Sequence, residues 1–206
     1  MLGIMDALRQ RRSIRKYQDR IVPKELMLQI LETAAYAPNA HNAQPWRFIV
    51  LSEEEPKEAL ADAMAQVWLK ELEEEHIPKN IRWATVNRSL ERFTSAPILI
   101  MACLSMEDMD SYPDAKRQIV ERDLGVQSLA ASIQTLLLAA YANGLGACWY
   151  CAPNFCKPAV REALEIPDHV EPQAIITLGY ADEEPKTPSR KPIADYVHME
   201  KWGTPP

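Results

Sequence analysis

The sequence predicts an α+β fold, a sheet with helices packed around it, and three observations lead there. Residues 98–104 form a continuous apolar run between Pro97 and a polar loop, the pattern of a buried strand. Residues 115–142 read as one long helix, apolar on most faces from Leu124 onward. Such a helix belongs at the centre of a fold or in a subunit interface. The chain has 206 residues, 47% hydrophobic and 25% charged, which suits an ordinary globular core and neither a disordered nor a fibrous protein. With no internal repeat and no Gly/Ser linker, residues 1–206 are expected to form a single domain. Residues 182–206, punctuated by Pro185, Pro188 and Pro192, are expected to be its extended C-terminal tail.

The elements follow in order. A first helix is expected over residues 3–11, with Ile4, Ala7 and Leu8 on one face and arginines at its negative pole. Pro23, at a first helical position, opens a second helix whose apolar stripe is Leu26, Ile30, Leu31, Ala34 and Ala35. Residues 38–45 are a loop, with two prolines and strong turn formers. Residues 46–51 read as a strand. Ser52 and Glu55 have capping-box spacing for a helix running to about residue 75, with Lys70 and Glu74 as an i,i+4 pair. A further helix covers residues 81–93. After the long helix, Asn143-Gly144 forms its C-terminal cap, residues 147–150 a short strand, 159–164 a helix and 174–180 the last strand.

Charge and cysteine usage narrow the function classes. A formal net charge of -6 disfavours nucleic acid and anionic membrane surfaces as partners. No charged residue lies between Asp123 and Lys157, which raises a membrane helix. However, Gln127, Ser128, Ser132, Gln134 and Thr135 interrupt that stretch and Asn143-Gly144-Leu145-Gly146 breaks it, so a buried helix is the better reading. No apolar signal-type segment follows the early cations, and four cysteines are too few to staple a secreted domain of this size. A reducing cytoplasm is the expected compartment.

Three segments carry candidate chemistry. Arg11-Arg12-Ser13-Ile14-Arg15-Lys16 places four cations and a hydroxyl within six residues of an acidic chain. Guanidinium forks match phosphate oxygens, although a basic helix end satisfied by solvent is the plain alternative. The 38–45 loop offers Asn39, His41, Asn42 and Gln44 for hydrogen bonding to a heteroaromatic edge, or for capping its own backbone. Gly144-Leu145-Gly146-Ala147-Cys148-Trp149-Tyr150-Cys151-Ala152-Pro153 combines small residues, which allow a flat ligand close to the backbone, with two large rings. A buried strand edge is the alternative.

Together these segments resemble the nitroreductase family of FMN enzymes. Arg-Arg-Ser-Ile-Arg-Lys-Tyr at residues 11–17 is similar to that family's phosphate-binding opening. Pro38-Asn39-Ala40-His41-Asn42-Ala43-Gln44-Pro45-Trp46 is similar to its flavin loop, usually Pro-Ser-x-x-Asn-x-Gln-Pro-Trp, with Asn39 in place of Ser. Ser189-Arg190-Lys191-Pro192 is similar to its C-terminal basic motif. The second half, with Glu121-Arg122-Asp123 and Gly146-Ala147-Cys148-Trp149, resembles one branch. That branch includes the flavin-binding C-terminal domain of the glutamyl ligase of deazaflavin-coenzyme biosynthesis.

The resemblance implies a three-layer α/β/α sandwich around a mostly antiparallel sheet, in an intertwined homodimer. It implies FMN held at its phosphate and ribityl chain by Arg11, Arg12, Ser13, Arg15 and Arg190. Pro38, Asn39, Ala40, Asn42 and Gln44 of the second subunit would line the ring. Backbone of Trp149, Tyr150, Cys151 and Ala152 would face the ring's centre, where many relatives have Glu-Gly in place of Cys151-Ala152. NADH or NADPH would be the electron donor and a small aromatic molecule, a nitroaromatic or quinone, the acceptor, with ping-pong kinetics and no protein nucleophile or metal. His41 is a candidate acid for the acceptor, and Asn87 and Arg88 are candidates for the flavin's pyrimidine edge. Three alternatives stay open: a reductase of a deazaflavin-coenzyme intermediate, a flavin-storage dimer without turnover, and a flavoprotein that consumes oxygen in biosynthesis. Cys148 and Cys151 have dithiol-like spacing, but strand positions three apart face opposite ways.

Overall fold

The computed structural model describes residues 3–206. Two central strands explain its layout. β2 (Ile98–Ser105) and β4 (Val170–Gly179) are buried along nearly their whole length and pair antiparallel. Side chains alternate across a sheet. Ile98, Ile100, Ala102, Leu104, Ala174, Ile176 and Leu178 therefore face one core, and Leu99, Met101, Cys103 and Ile175 the other. α2 (Lys24–Ala34) and α5 (Ala115–Ala142) cover the first face. α3 (Glu54–Glu74), α4 (Lys79–Thr94) and α6 (Lys157–Ala163) cover the second. The result is the expected three-layer α/β/α sandwich. β1 (Trp46–Leu51) and β3 (Gly146–Tyr150) flank the central pair in the order β1-β2-β4-β3, every pairing antiparallel.

α5 is long and apolar enough by composition to cross a membrane, but here it packs between α2 and the sheet, with Leu129, Ile133, Leu136 and Ala140 in the core. Asp114 caps its start by accepting the Arg117 N–H at 2.9 Å. Gly144, at φ +77°, closes its end, where Leu145 N–H reaches the Ala140 carbonyl at 2.9 Å.

Several boundaries depart from the sequence reading. Ser52 forms no capping box: α3 begins at Glu54 with Glu53 as its cap residue and no side-chain cap bond. That places Pro56 third in the helix, where a cap side chain would need an N–H that proline lacks. Glu54 and Glu55 in the first turn favour the helix dipole instead. The acidic end of α3 is tied by Glu73 to Arg82 of α4 at 2.9 Å, not by a Lys70–Glu74 pair. β4 starts four residues earlier than expected. Pro172 is tolerated because β3 pairs only as far as Ile175, and a register shift at Ala102/Cys103 lies opposite it. α1 (Ile4–Gln10) buries only Ala7 of its expected apolar face, leaving Ile4 and Leu8 exposed.

Glu171 on β4 ties three elements together. It accepts from Arg122 of α5 at 2.6 and 3.1 Å and from Lys157 of α6. Burial alone would raise its pKa, but the hydrogen bonds and charges of Arg122 and Lys157 outweigh burial and hold the carboxyl below its usual range. A depressed carboxylate stabilises the fold above its unfolded value, about 4.3, and that contribution disappears as pH falls through the lower folded value. Glu171→Gln should therefore cost about 1–2 kcal/mol near neutral pH in urea unfolding. The difference from wild type should shrink below about pH 4. A constant difference across that range would mean the charge is not what matters.

Candidate functional site

The basic segment near the N-terminus is laid along the outer edge of β3. Ile14 N–H donates to the Ala147 carbonyl at 3.1 Å, and Gln18 N–H to the Tyr180 carbonyl at 2.9 Å. Between them, the Tyr17 hydroxyl lies 2.6 Å from both the Ile14 carbonyl and the Thr177 hydroxyl. Burial pushes the Tyr17 phenol well above its ordinary pKa, so it stays neutral and keeps these bonds. Gly146 makes the approach possible, because a Cβ there would meet the Ile14 side chain at 2.7 Å. Gly144 thus serves the helix cap, and Gly146 the close approach of the Ile14 segment to β3.

The C-terminal tail returns to the same place. Asp182 N–H donates to the Lys16 carbonyl at 3.0 Å. The Glu183 carboxylate accepts from the Arg15 and Lys16 N–H groups, and Arg12 donates to the Thr187 hydroxyl at 3.0 Å. Arg11, Arg12 and Arg190 form a cluster of like charge: burial lowers the Arg11 pKa, and repulsion from Arg12 and Arg190 lowers it further. Among the described residues, none of Arg11, Arg12, Arg15 or Arg190 forms a salt bridge with a carboxylate. The Arg15 side chain reaches only the Ser13 carbonyl, at 3.4 Å. Close guanidinium groups without a counter-charge are the chemistry of an anion site, and they suit a phosphate.

β3 leads from this cluster to the predicted ring-facing segment. The Trp149 indole N–H is buried without a hydrogen-bond partner. The Tyr150 hydroxyl lies buried beside the Cys148 thiol, and no oxygen or nitrogen accepts its proton. Burial first, then Cys148, raises the Tyr150 pKa. Phe93 packs edge-on against Tyr150 at 5.1 Å. Cys151, exposed, ends the strand and Ala152 opens a short 3-10 turn. Cys148 is buried, so the two cysteines diverge, while burial raises Cys103 to about 12 and Cys156 to about 11. A largely apolar cavity of about 490 Å³ opens here, walled by Trp68, Arg92, Phe93, Tyr150, Cys151 and Phe155. Arg92 forms no salt bridge among the described residues, whereas Asn87 and Arg88 do not line this cavity. The sequence reading missed Arg92. Its position one helical turn beyond Arg88 was the available signal.

The 38–45 loop lies elsewhere. It precedes β1, whose Trp46 pairs with Leu104, and Pro45 accepts from Ser105 N–H at 2.8 Å. β3 is on the opposite edge of the sheet, with β2 and β4 between, so three strand spacings or roughly 14 Å intervene. One protomer therefore joins Arg11, Arg12, Ser13, Arg15 and Arg190 to the β3 end, but does not bring Pro38, Asn39, Ala40, Asn42 or Gln44 to them. The loop is tightly braced. The Asn39 side chain accepts from Gln44 N–H at 2.8 Å and donates to the Ala37 carbonyl at 3.2 Å, which leaves its backbone for any ligand. The Ser128 hydroxyl of α5 accepts from Ala40 N–H at 3.0 Å. His41, Asn42 and Gln44 adopt left-handed φ values of 57°, 54° and 48°. His41 Nε2 is 3.1 Å from Glu121 and 3.9 Å from Asp110, and these three offer ligand atoms within 4.8 Å of one another.

Comparison with known proteins identifies the family and the fold. The nitroreductase family profile matches residues 8–180. A protein of Methanothermobacter thermautotrophicus, provisionally named an NADH dehydrogenase/NAD(P)H nitroreductase, is 34% identical over 206 residues, covering 98% of this chain and 88% of that one. A Bacillus subtilis protein, provisionally named the NAD(P)H nitroreductase YfhC, is 31% identical over 192 residues, covering 93% and 91%. Among solved structures, a BluB-like flavoprotein from Clostridium difficile 630 superposes with a TM-score of 0.81 at 24% identity, covering 98% of this chain and 100% of that one.

An uncompensated arginine cluster has a measurable signature. Inorganic phosphate should raise the melting temperature, with a stabilisation of about 2.7 kcal/mol at one hundred times its dissociation constant. Replacing Arg11, Arg12 and Arg190 together by Gln should remove that response while leaving the phosphate-free protein as stable or more so, because like charges are separated. Gly146→Ala should cost about 1–3 kcal/mol by displacing Ile14, and should blunt the phosphate response with it. A full phosphate response in either variant would show that these residues do not form the anion site.

Proposed function

The chain belongs to the nitroreductase family, a family of oxidoreductases, and from that premise we propose that it is an FMN-dependent enzyme working as a homodimer with two shared sites. The observation that carries the proposal is the meeting of both ends of the chain, where Arg12 donates to the Thr187 hydroxyl at 3.0 Å beside Arg11 and Arg190, and none of these arginines has an acidic partner among the described residues. These residues, with Ser13 and Arg15, would bind the phosphate. Trp149 to Ala152 would border the ring, which fits the unpartnered indole N–H and the exposed strand end. Arg92 would place a cation near the ring, for which its lack of an acidic partner is the support.

The second subunit completes the site in this reading. Pro38, Asn39, Ala40, Asn42 and Gln44 cannot reach the β3 end within one protomer, so a two-fold partner would supply them. Exposed apolar side chains offer surface for that association: Ile4 and Leu8 on α1, Tyr36 beside the loop, and Ile193, Tyr196 and Trp202 in the tail. We take residues 1–206 to act as one flavin-binding unit, with residues 182–206 closing the phosphate end, in a reducing cytoplasm.

Once bound, FMN would supply two-electron transfer from NADH or NADPH to a small organic acceptor. The chain's own residues position and exclude. The apolar walls of the cavity, Trp68, Phe93 and Phe155, would keep water from an aromatic acceptor such as a nitroaromatic or quinone. The backbone at Cys151 and Ala152 would offer an N–H toward the ring. The cations would favour a negatively charged form of the cofactor.

The visible spectrum of protein incubated with FMN tests the reading first, and anaerobic addition of NADH or NADPH should then bleach it within seconds. Shared sites are tested by mixing. An Arg12→Ala/Arg190→Ala variant and an Asn42→Ala/Gln44→Ala variant should each be inactive alone. Heterodimers of the two should regain activity, because one of their two sites draws only intact residues from both subunits. No FMN uptake, or no recovery on mixing with dimers present, would refute the proposal.

A further inference from the structure

The 38–45 loop holds an unfavourable shape. Left-handed backbone is costly for residues other than glycine, and three such positions within four residues persist only where the surroundings enforce them. Two side chains of α5 do so here. Ser128 accepts from Ala40 N–H at 3.0 Å and returns its own proton to the Leu124 carbonyl at 2.7 Å. Glu121 lies seven residues earlier, two helical turns along the same face. It is 2% exposed, although a carboxylate at such depth is expensive unless hydrogen-bonded. Its Oε1 accepts from Asp110 N–H at 3.1 Å and lies 3.1 Å from His41 Nε2. An ionised carboxylate can only accept, so a bond across this 3.1 Å approach needs the proton on Nε2. Asp110 on the preceding turn stands 3.9 Å from the same nitrogen, beyond hydrogen-bond reach.

We propose that Glu121 is a positioning residue: through His41 it fixes the left-handed backbone of residues 41–44, so that the loop is already in its ligand-ready shape before any ligand arrives. The inference rests on the reading that this loop lines the flavin of the partner subunit. It also gives His41 a different job from the acceptor acid considered from sequence, because its Nε2 faces Glu121 at 3.1 Å. The same three side chains could instead gather a divalent cation, since their ligand atoms are close together. The hydrogen bond from Asp110 N–H to Glu121 Oε1, with His41 Nε2 3.1 Å from the same oxygen, favours the protein-only role.

A double-mutant cycle on the dimer tests this, with FMN affinity read from quenching of flavin fluorescence. Glu121→Ala and His41→Ala should each weaken FMN roughly tenfold, and the double variant should be no weaker than the worse single one. Glu121→Gln keeps an accepting oxygen and should restore affinity to within about threefold of wild type. Additive single effects, or a fall in stability with FMN affinity unchanged, overturn the proposal. So does His41-dependent binding of Zn²⁺ in a titration of the wild-type dimer. Hydrogen exchange at the Asn42 and Gln44 amides separates the two readings. In Glu121→Ala it should accelerate about tenfold whether or not the protein takes up FMN. If wild type takes up no FMN while exchange accelerates, the flavin reading has failed and the role of Glu121 stands. Unchanged exchange removes that role.

Discussion

β2 and β4 bury both of their faces, and neither can be left to water. Alternate residues of each strand are large and apolar, so a helix layer is required above and another below. That requirement places α5 against one face and α3, α4 and α6 against the other. It also leaves only the two sheet edges open to extended chain. The edge at β3 takes up residues 13–18, which pair on one side with Ala147 and on the other with the exit of β4. The arginine cluster exists because one of the two edges of a doubly covered sheet is filled by a segment that carries arginines.

Those arginines are a cost to the folded chain. Like charges crowded at Arg11, Arg12 and Arg190, in a protein of net charge -6, form no salt bridge among the described residues although acidic residues outnumber basic ones. Glu183, beside this segment, turns its Oε1 to the backbone N–H groups of Arg15 and Lys16 and not to a guanidinium. Such uncompensated charge is commonly a sign of a site whose counter-ion is a ligand. The cavity bordered by Arg92 and Tyr150 repeats the pattern on a smaller scale, with a free cation and an unpartnered hydroxyl in otherwise apolar walls.

Much of this was legible in the sequence, and the failures are informative. Strands such as residues 98–104 and helices such as residues 115–142 announce themselves through long, uniform patterns, and both fell where expected. The basic hexad, the Asn/His loop and the Cys151-Ala152 turn stood out as unusual compositions. What composition could not convey was which of them meet. Arg190 and Arg12 are separated by nearly the whole chain, and only pairing with the β3 edge brings them together. The loop at 38–45 stays on the far edge, a fact of strand order. Glu121 was visible only as one more acidic residue, since its burial depends on packing between α5 and the loop. Ser52 misled because its spacing to Glu55 was right while the helix starts one residue later, with Glu53 as its cap residue.

The routing of the chain also has a temporal consequence. Residues 11–16 are made before the surface that receives them, which comes from β3 and the exit of β4, and their remaining neighbours, Thr187 and Arg190, come later still. During elongation the earliest basic segment has nowhere to dock. An early segment is thus docked late, and the arginine cluster can form only after residues 187–190 have been synthesised.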